Sequence, residues 1–146
     1  MKRLFIALEI PENIKEAIAK EQEQLNNYFY SNLVDKEKMH ITLLFLGDTK
    51  LEENKIIDKI KEIKVNREIT IYGIDAFPSL ESPRIVFKKI EPDLKDIHEQ
   101  LCKELGINET GFTAHLTLCR VKKVLKKIDT NIFSNKFYFK ADKLSL

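Results

Sequence analysis

Glycine is scarce in this 146-residue chain. Gly47, Gly73, Gly106 and Gly111 are the only four, and none is spaced as GxGxxG or as a P-loop. A backbone loop that cradles phosphates is therefore missing, which disfavours ATP-driven chemistry and a Rossmann cofactor. Cysteine is scarcer still. Cys102 and Cys119 stand 17 apart with no CxxC spacing, against a disulfide framework and against a cysteine-built zinc site. Reduced thiols in the cytoplasm are the expectation. A charge excess of either sign is also lacking: 25 Lys and Arg against 23 Asp and Glu leave +2. That balance does not mark a nucleic-acid binder by composition, so any basic surface must come from clustering. No stretch approaches the roughly 20 apolar residues that span a bilayer, so no membrane partner is expected. The apolar start is short, and Glu9 and Pro11 interrupt it where a signal-peptide cleavage site should follow. With 43% hydrophobic residues and no low-complexity tract, residues 1–146 read as one folded domain.

What is present alternates between strand and helix signals. Residues 3–10 are a β-rich apolar run ending at Pro11, which cannot continue a central strand. Proline is tolerated at a helix start, where its missing N–H would be unpaired anyway. From Glu12 to about Tyr28, Ile14, Ala17, Ile18, Gln22 and Leu25 keep a helical period. Met39–Leu46 reads as a strand closed by Gly47-Asp48, and Leu51–Ile63 as an amphipathic helix. Arg67–Ala76 reads as a strand, although Ile69, Ile71 and Ile74 alternate imperfectly. Loop signals at Phe77-Pro78-Ser79 and Glu81-Ser82-Pro83 precede a strand at Arg84–Ile90. A helix at Asp93–Leu105 stops at Gly106, and a strand follows at Thr113–Val121. Lys122–Lys127 is a basic segment for which helix is one option, and Phe137–Leu144 is a final strand. The order βαβαββαββ predicts a single α+β domain.

The chain also echoes itself. Arg3, Pro11 and a helix start are matched by Arg84, Pro92 and a helix start, an offset of 81 (84 − 3 and 92 − 11). His40-Ile41-Thr42-Leu43 returns 75 residues later (115 − 40) as His115-Leu116-Thr117-Leu118. Two such lobes about a pseudo-twofold axis would bring both His-x-Thr strands side by side in one cleft.

That pattern carries chemistry. Side chains at i and i+2 of a strand share a face, about 6.6 Å apart at roughly 3.3 Å per residue. His40 therefore lies beside Thr42, and His115 beside Thr117. Imidazole, with an ordinary pKa of about 6.5, exchanges protons near neutrality, and a threonine hydroxyl can donate to a phosphate oxygen. Two facing units supply a base, an acid and two donors around one phosphorus, as an in-line displacement needs. No metal is required if histidine fills both roles. His98 sits in the third helix among charged neighbours and is expected to be exposed or partly covered.

Residues 39–47 (Met-His-Ile-Thr-Leu-Leu-Phe-Leu-Gly) and 114–121 (Ala-His-Leu-Thr-Leu-Cys-Arg-Val) resemble the two signature HxT strands of the 2H phosphoesterase superfamily. Arg3-Leu4-Phe5-Ile6-Ala7, Phe77-Pro78 and Ser82-Pro83-Arg84-Ile85-Val86 are similar to its RNA 2′,3′-cyclic phosphodiesterase branch, also called 2′-5′ RNA ligase. The resemblance implies a bilobal α+β fold, with antiparallel sheets and outer helices around a central cleft. It implies hydrolysis of RNA 2′,3′-cyclic phosphate ends to 2′-phosphates without metal or other cofactor, and 2′-5′ ligation as the reverse reaction. His40 would protonate the departing 3′ oxygen, His115 would activate water, and Thr42 and Thr117 would hold the non-bridging oxygens. Arg120 is a phosphate-binding candidate, although a regular strand would turn it away from His115 and a bulge or a strand end would be needed to bring it round. The implied partner is RNA with a cyclic phosphate end, tRNA fragments being one source, met by a monomer. An RNA-end-binding module with little turnover and a phosphodiesterase for small cyclic nucleotides are the alternatives. Phe45 and Phe77 are the nearest aromatic faces for a base, but core packing is expected for both, Phe45 having the wrong parity relative to His40. Lys122, Lys123, Lys126 and Lys127 could form a basic rim. Relatives usually continue for a few tens of residues past the strand matching Phe137–Leu144, so the C-terminal end is shorter than usual for the family.

Overall fold

The computed structural model describes residues 3–48, 52–142 and 144–145. Eight strands and three α-helices are assigned among these residues. The first strand, β1 (Arg3–Glu9), leads through Pro11 into α1 (Glu12–Glu23). Ile14, Ile18, Glu21 and Gln22 are buried on one face of α1, the spacing that the helical period requires. A 3₁₀ turn (Gln24–Asn27) ends this segment, and the strand β2 (Phe29–Leu33) follows at once. β2 is absent from the sequence reading, in which the helix extends to Tyr28 and residues 29–38 carry no element. Its alternation, Phe29 buried and Tyr30 and Asn32 exposed, is present but too short to stand out beside the helix before it.

β3 (His40–Asp48), α2 (Glu53–Ile60), β4 (Arg67–Phe77), β5 (Ile85–Glu91) and α3 (Lys95–Leu105) fall where the periodicity predicts them. The start expected for α2 at Leu51 lies outside the described residues. β6 (His115–Val124) runs further than expected and takes in Lys122 and Lys123, so the start of the basic segment is strand and not helix. The expected last strand is divided into β7 (Lys136–Ala141) and β8 (Leu144–Ser145). β7 pairs with β4, whereas β8 pairs with β1.

All strand pairs are antiparallel. They form a three-stranded sheet, β3-β1-β8, and a five-stranded sheet, β2-β6-β5-β4-β7. β3 and β6, the two His-x-Thr strands, contact each other across the junction of the sheets. The helices cross over. α1 follows a strand of the small sheet but bonds to the large one, Gln22 Nε2 donating to Leu118 O of β6 at 2.8 Å. α3 follows a strand of the large sheet but packs on β3 of the small one. One continuous apolar core results, with Ile6, Leu8, Ile41 and Leu44 from the small sheet joining Val86, Leu116 and Leu118 from the large one.

Candidate active site

The start of each His-x-Thr strand holds its imidazole in the same way. His40 Nδ1 donates to the carbonyl of Lys38 at 2.5 Å, and His115 Nδ1 donates to the carbonyl of Thr113 at 2.7 Å. A carbonyl oxygen can only accept, so Nδ1 bears the proton in both rings and Nε2 is the nitrogen left for chemistry. Aromatic contacts set the ring planes. His40 stacks on Phe5 at 4.6 Å, while Phe77 and Phe87 each meet the His115 ring at 5.3 Å with tilted or edge-on geometry. Both histidines, Thr42, Thr117 and Arg120 line one cleft of about 550 Å³. Every site residue expected from the sequence is thus gathered in one place.

A bulge in each strand explains how Arg120 arrives. On β3 the pairing steps from Leu44↔Ile6 to Thr42↔Ala7, which leaves Leu43 without a partner on β1. On β6 it steps from Cys119↔Val86 to Thr117↔Phe87, which leaves out Leu118. The two extra residues are 75 apart (118 − 43), the same offset that relates the histidines. One inserted residue reverses the alternation beyond it. Positions 45 and 120 therefore return to the side occupied by the histidines. Phe45, expected to turn away and pack in the core, is instead 52% exposed and lines the cleft. Phe77, also expected in the core, lines the same cleft. The mirrored positions carry different side chains, so the cleft has an aromatic face beside His40 and a guanidinium beside His115.

What holds the bulges is not written in either strand. A residue left out of the ladder frees a carbonyl, and a buried carbonyl needs a donor. His98 Nδ1 donates to Leu43 O at 2.6 Å. At the mirrored position, Leu118 O accepts from Gln22 Nε2 at 2.8 Å and from Val34 N at 2.9 Å. The helix of each half thus reaches across to the bulge of the other. His98 is 4% exposed and stacks on Phe112 at 4.2 Å, which corrects the expectation of an exposed or partly covered side chain. The signal was available: His98 is four residues after Leu94 and three before Leu101, on the apolar stripe of α3.

Burial, followed by the positive charges of Lys15 and His115, holds the His40 pKa below its ordinary 6.5. The ring is therefore neutral at pH 7 in the free protein. Lys38 and Arg120 add positive charge to the cleft lining and Glu109 a negative one. Among the described residues, no group of three or more His, Cys, Asp or Glu is placed to hold a metal ion. Among the same residues, no helix is long and apolar enough to cross a membrane.

Known proteins resemble this arrangement in sequence and in fold. A family model described as LigT like Phosphoesterase matches residues 8–87. An RNA 2′,3′-cyclic phosphodiesterase from Methanocaldococcus jannaschii is 38% identical over 126 residues, covering 82% of this chain and 72% of that protein. A namesake from Archaeoglobus fulgidus is 32% identical over 130 residues, covering 83% and 73%. Among solved structures, a Thermus thermophilus protein superposes with a TM-score of 0.77 at 23% identity, covering 98% of this chain and 87% of that one. E. coli LigT in complex with 3′-AMP gives 0.76 at 20% identity, covering 98% and 85%. At that identity the structural match speaks to the fold alone.

Proposed function

The chain belongs to the LigT-like phosphoesterase family, and from that premise we propose that it opens RNA 2′,3′-cyclic phosphate ends to 2′-phosphates. The observation that carries this reading is the mirrored pair of imidazoles, each donating from Nδ1 to the carbonyl two residues back and each followed by a threonine lining the same cleft. The names of the relatives supply the substrate class.

In the proposed reaction the cyclic phosphate sits between the two Nε2 atoms. His115 takes a proton from water as its oxygen attacks phosphorus. The bond from phosphorus to the 3′ oxygen breaks, and His40 gives its proton to that oxygen. The products are a free 3′ hydroxyl and a 2′-phosphate. Thr42 and Thr117 donate to the non-bridging oxygens, and the Arg120 guanidinium offsets the charge that builds there. His40 is neutral in the free protein, so as the acid it must gain its proton with the substrate. The negative phosphate supplies the attraction, since an opposite charge nearby favours imidazolium. The same displacement with an RNA 5′ hydroxyl in place of water breaks the same bond to the 3′ oxygen and forms a 2′-5′ linkage. Phe45 offers the terminal base an aromatic face on the His40 side.

The test is incubation with a short RNA ending in a 2′,3′-cyclic phosphate, in the presence of EDTA. A 2′-phosphate product is expected, with the rate lowered on the order of 10²–10⁴-fold in His40→Ala and in His115→Ala. A rate unchanged in both variants, or one abolished by EDTA, would overturn the mechanism.

A further inference from the structure

Resting on that reading, we propose that β2 and the outer half of β6 bind the RNA strand upstream of the cyclic phosphate, with Tyr30 stacking a base and Lys122 contacting a phosphate. Asn32 pairs with Arg120, and Arg120 with Ile85, so their side chains form one row on the cleft side of the large sheet. Val34, two residues after Asn32, also lines the cleft. Tyr30, two residues before Asn32, therefore lies on that face, and β2 is regular between them because the extra residue at this register shift is Lys122 on β6. Val34, Asn32 and Tyr30 thus make a path roughly 13 Å long that leaves the cleft along one strand.

The chemistry along this path suits a single-stranded nucleic acid. Tyr30 is 61% exposed, and the Lys122 ammonium sits over its ring, 5.2 Å from the centroid. An exposed ring with a cation above it offers a stacking face and a phosphate partner together. Residues 115–128 hold five Lys and Arg and no Asp or Glu, and residues 29–34 hold no charge at all. The overall +2 of the chain hides this local concentration. A terminal nucleotide held between the histidines needs none of it, whereas the nucleotides before it would run over it.

The experiment compares kcat/KM for a short single-stranded RNA with a cyclic phosphate end against that for a 2′,3′-cyclic mononucleotide. Tyr30→Ala is expected to lower the ratio of the two about tenfold, in line with the loss of one stacked base, and Tyr30→Phe to preserve it. Lys122→Gln should reduce the slope of log kcat/KM against log salt for the RNA by about 0.7, the value for one phosphate contact on a single strand. A ratio within twofold of the parent in Tyr30→Ala overturns the proposal. So does an acidic peptide of equal charge that competes as well as the RNA, which would mark a surface for polyanions at large. If the parent protein opens neither substrate, the proposed function fails separately, and fluorescence anisotropy of the same RNA then decides. Weaker binding in Tyr30→Ala supports the path, and unchanged binding overturns it.

Discussion

At the scale of the residue, the two histidines are alike in their hydrogen bonds and unlike in their surroundings. His40 is desolvated against Phe5 and shares its neighbourhood with Lys15 and His115, and its pKa is held below 6.5 as a result. The sign is definite. As pH falls from neutrality, His40 should take up its proton later than an ordinary histidine does. NMR titration of its ring protons should give a midpoint under 6.5 in the free protein. Adding adenosine 2′-monophosphate, which places a phosphate beside the ring, should move that midpoint upward. A midpoint at or above 6.5 without ligand would contradict the burial argument.

At the scale of the element, the decisive feature is the bulge. A regular β6 would carry Thr117 and point Arg120 away from it. The extra residue at Leu118 turns Arg120 back, and Leu43 does the same for Phe45. The bulges leave a mark in the sequence that is legible once the fold is known. Leu43-Leu44 and Leu118-Cys119 are adjacent apolar pairs, buried together where simple alternation allows one. A bulge in β4 accounts for the imperfect run Ile69, Ile71, Ile74. There β4 steps from Tyr72↔Lys89 to Asp75↔Phe87, setting Gly73 and Ile74 against one residue of β5. Gly73 has φ of +61°, and a Cβ there would come within 3.0 Å of Lys89 Cε, which is why glycine marks that spot.

The same scale yields a prediction for His98, a positioning residue acting through the Leu43 carbonyl. His98→Leu removes the donor and should lower kcat about tenfold, with KM changed less than threefold. His98→Asn can still donate from the position of Nδ1 and should recover most of that loss. A merely structural His98 would shift the thermal midpoint in both variants and leave kcat of the folded protein within twofold of the parent.

At the scale of the whole molecule, each half lends its helix to the other. Lys88 on β5 is fully buried, and its ammonium donates to Glu21 Oε1 of α1 at 2.8 Å and to Phe133 O at 3.1 Å. Burial lowers the Lys88 pKa, and the Glu21 carboxylate opposes that shift. Removing one partner strands the other. Lys88→Met should therefore destabilise the fold by about 3–5 kcal/mol in denaturant titration. The double variant Glu21→Gln with Lys88→Met should recover a large part of that loss, since it no longer buries an unpaired charge. A single variant as stable as the parent would show that the pair does not tie α1 to the large sheet.

Local order accounts for much of this protein. Hydrophobic period places α1, α2, α3 and most of the strands, because burial on one face imposes its spacing on the residues themselves. The repeated His-x-Thr tetrapeptide, at an offset of 75 (115 − 40), was enough to name both imidazoles and both threonines as neighbours. Tertiary structure decided the rest, for a physical reason. The phase of a strand beyond a bulge depends on a carbonyl that another element must satisfy, and the donors, His98 and Gln22, come from helices distant in the chain. Spacing within one segment cannot report that bond. That bond satisfies the bulges, and the bulges bring Arg120 and Phe45 to the cleft side.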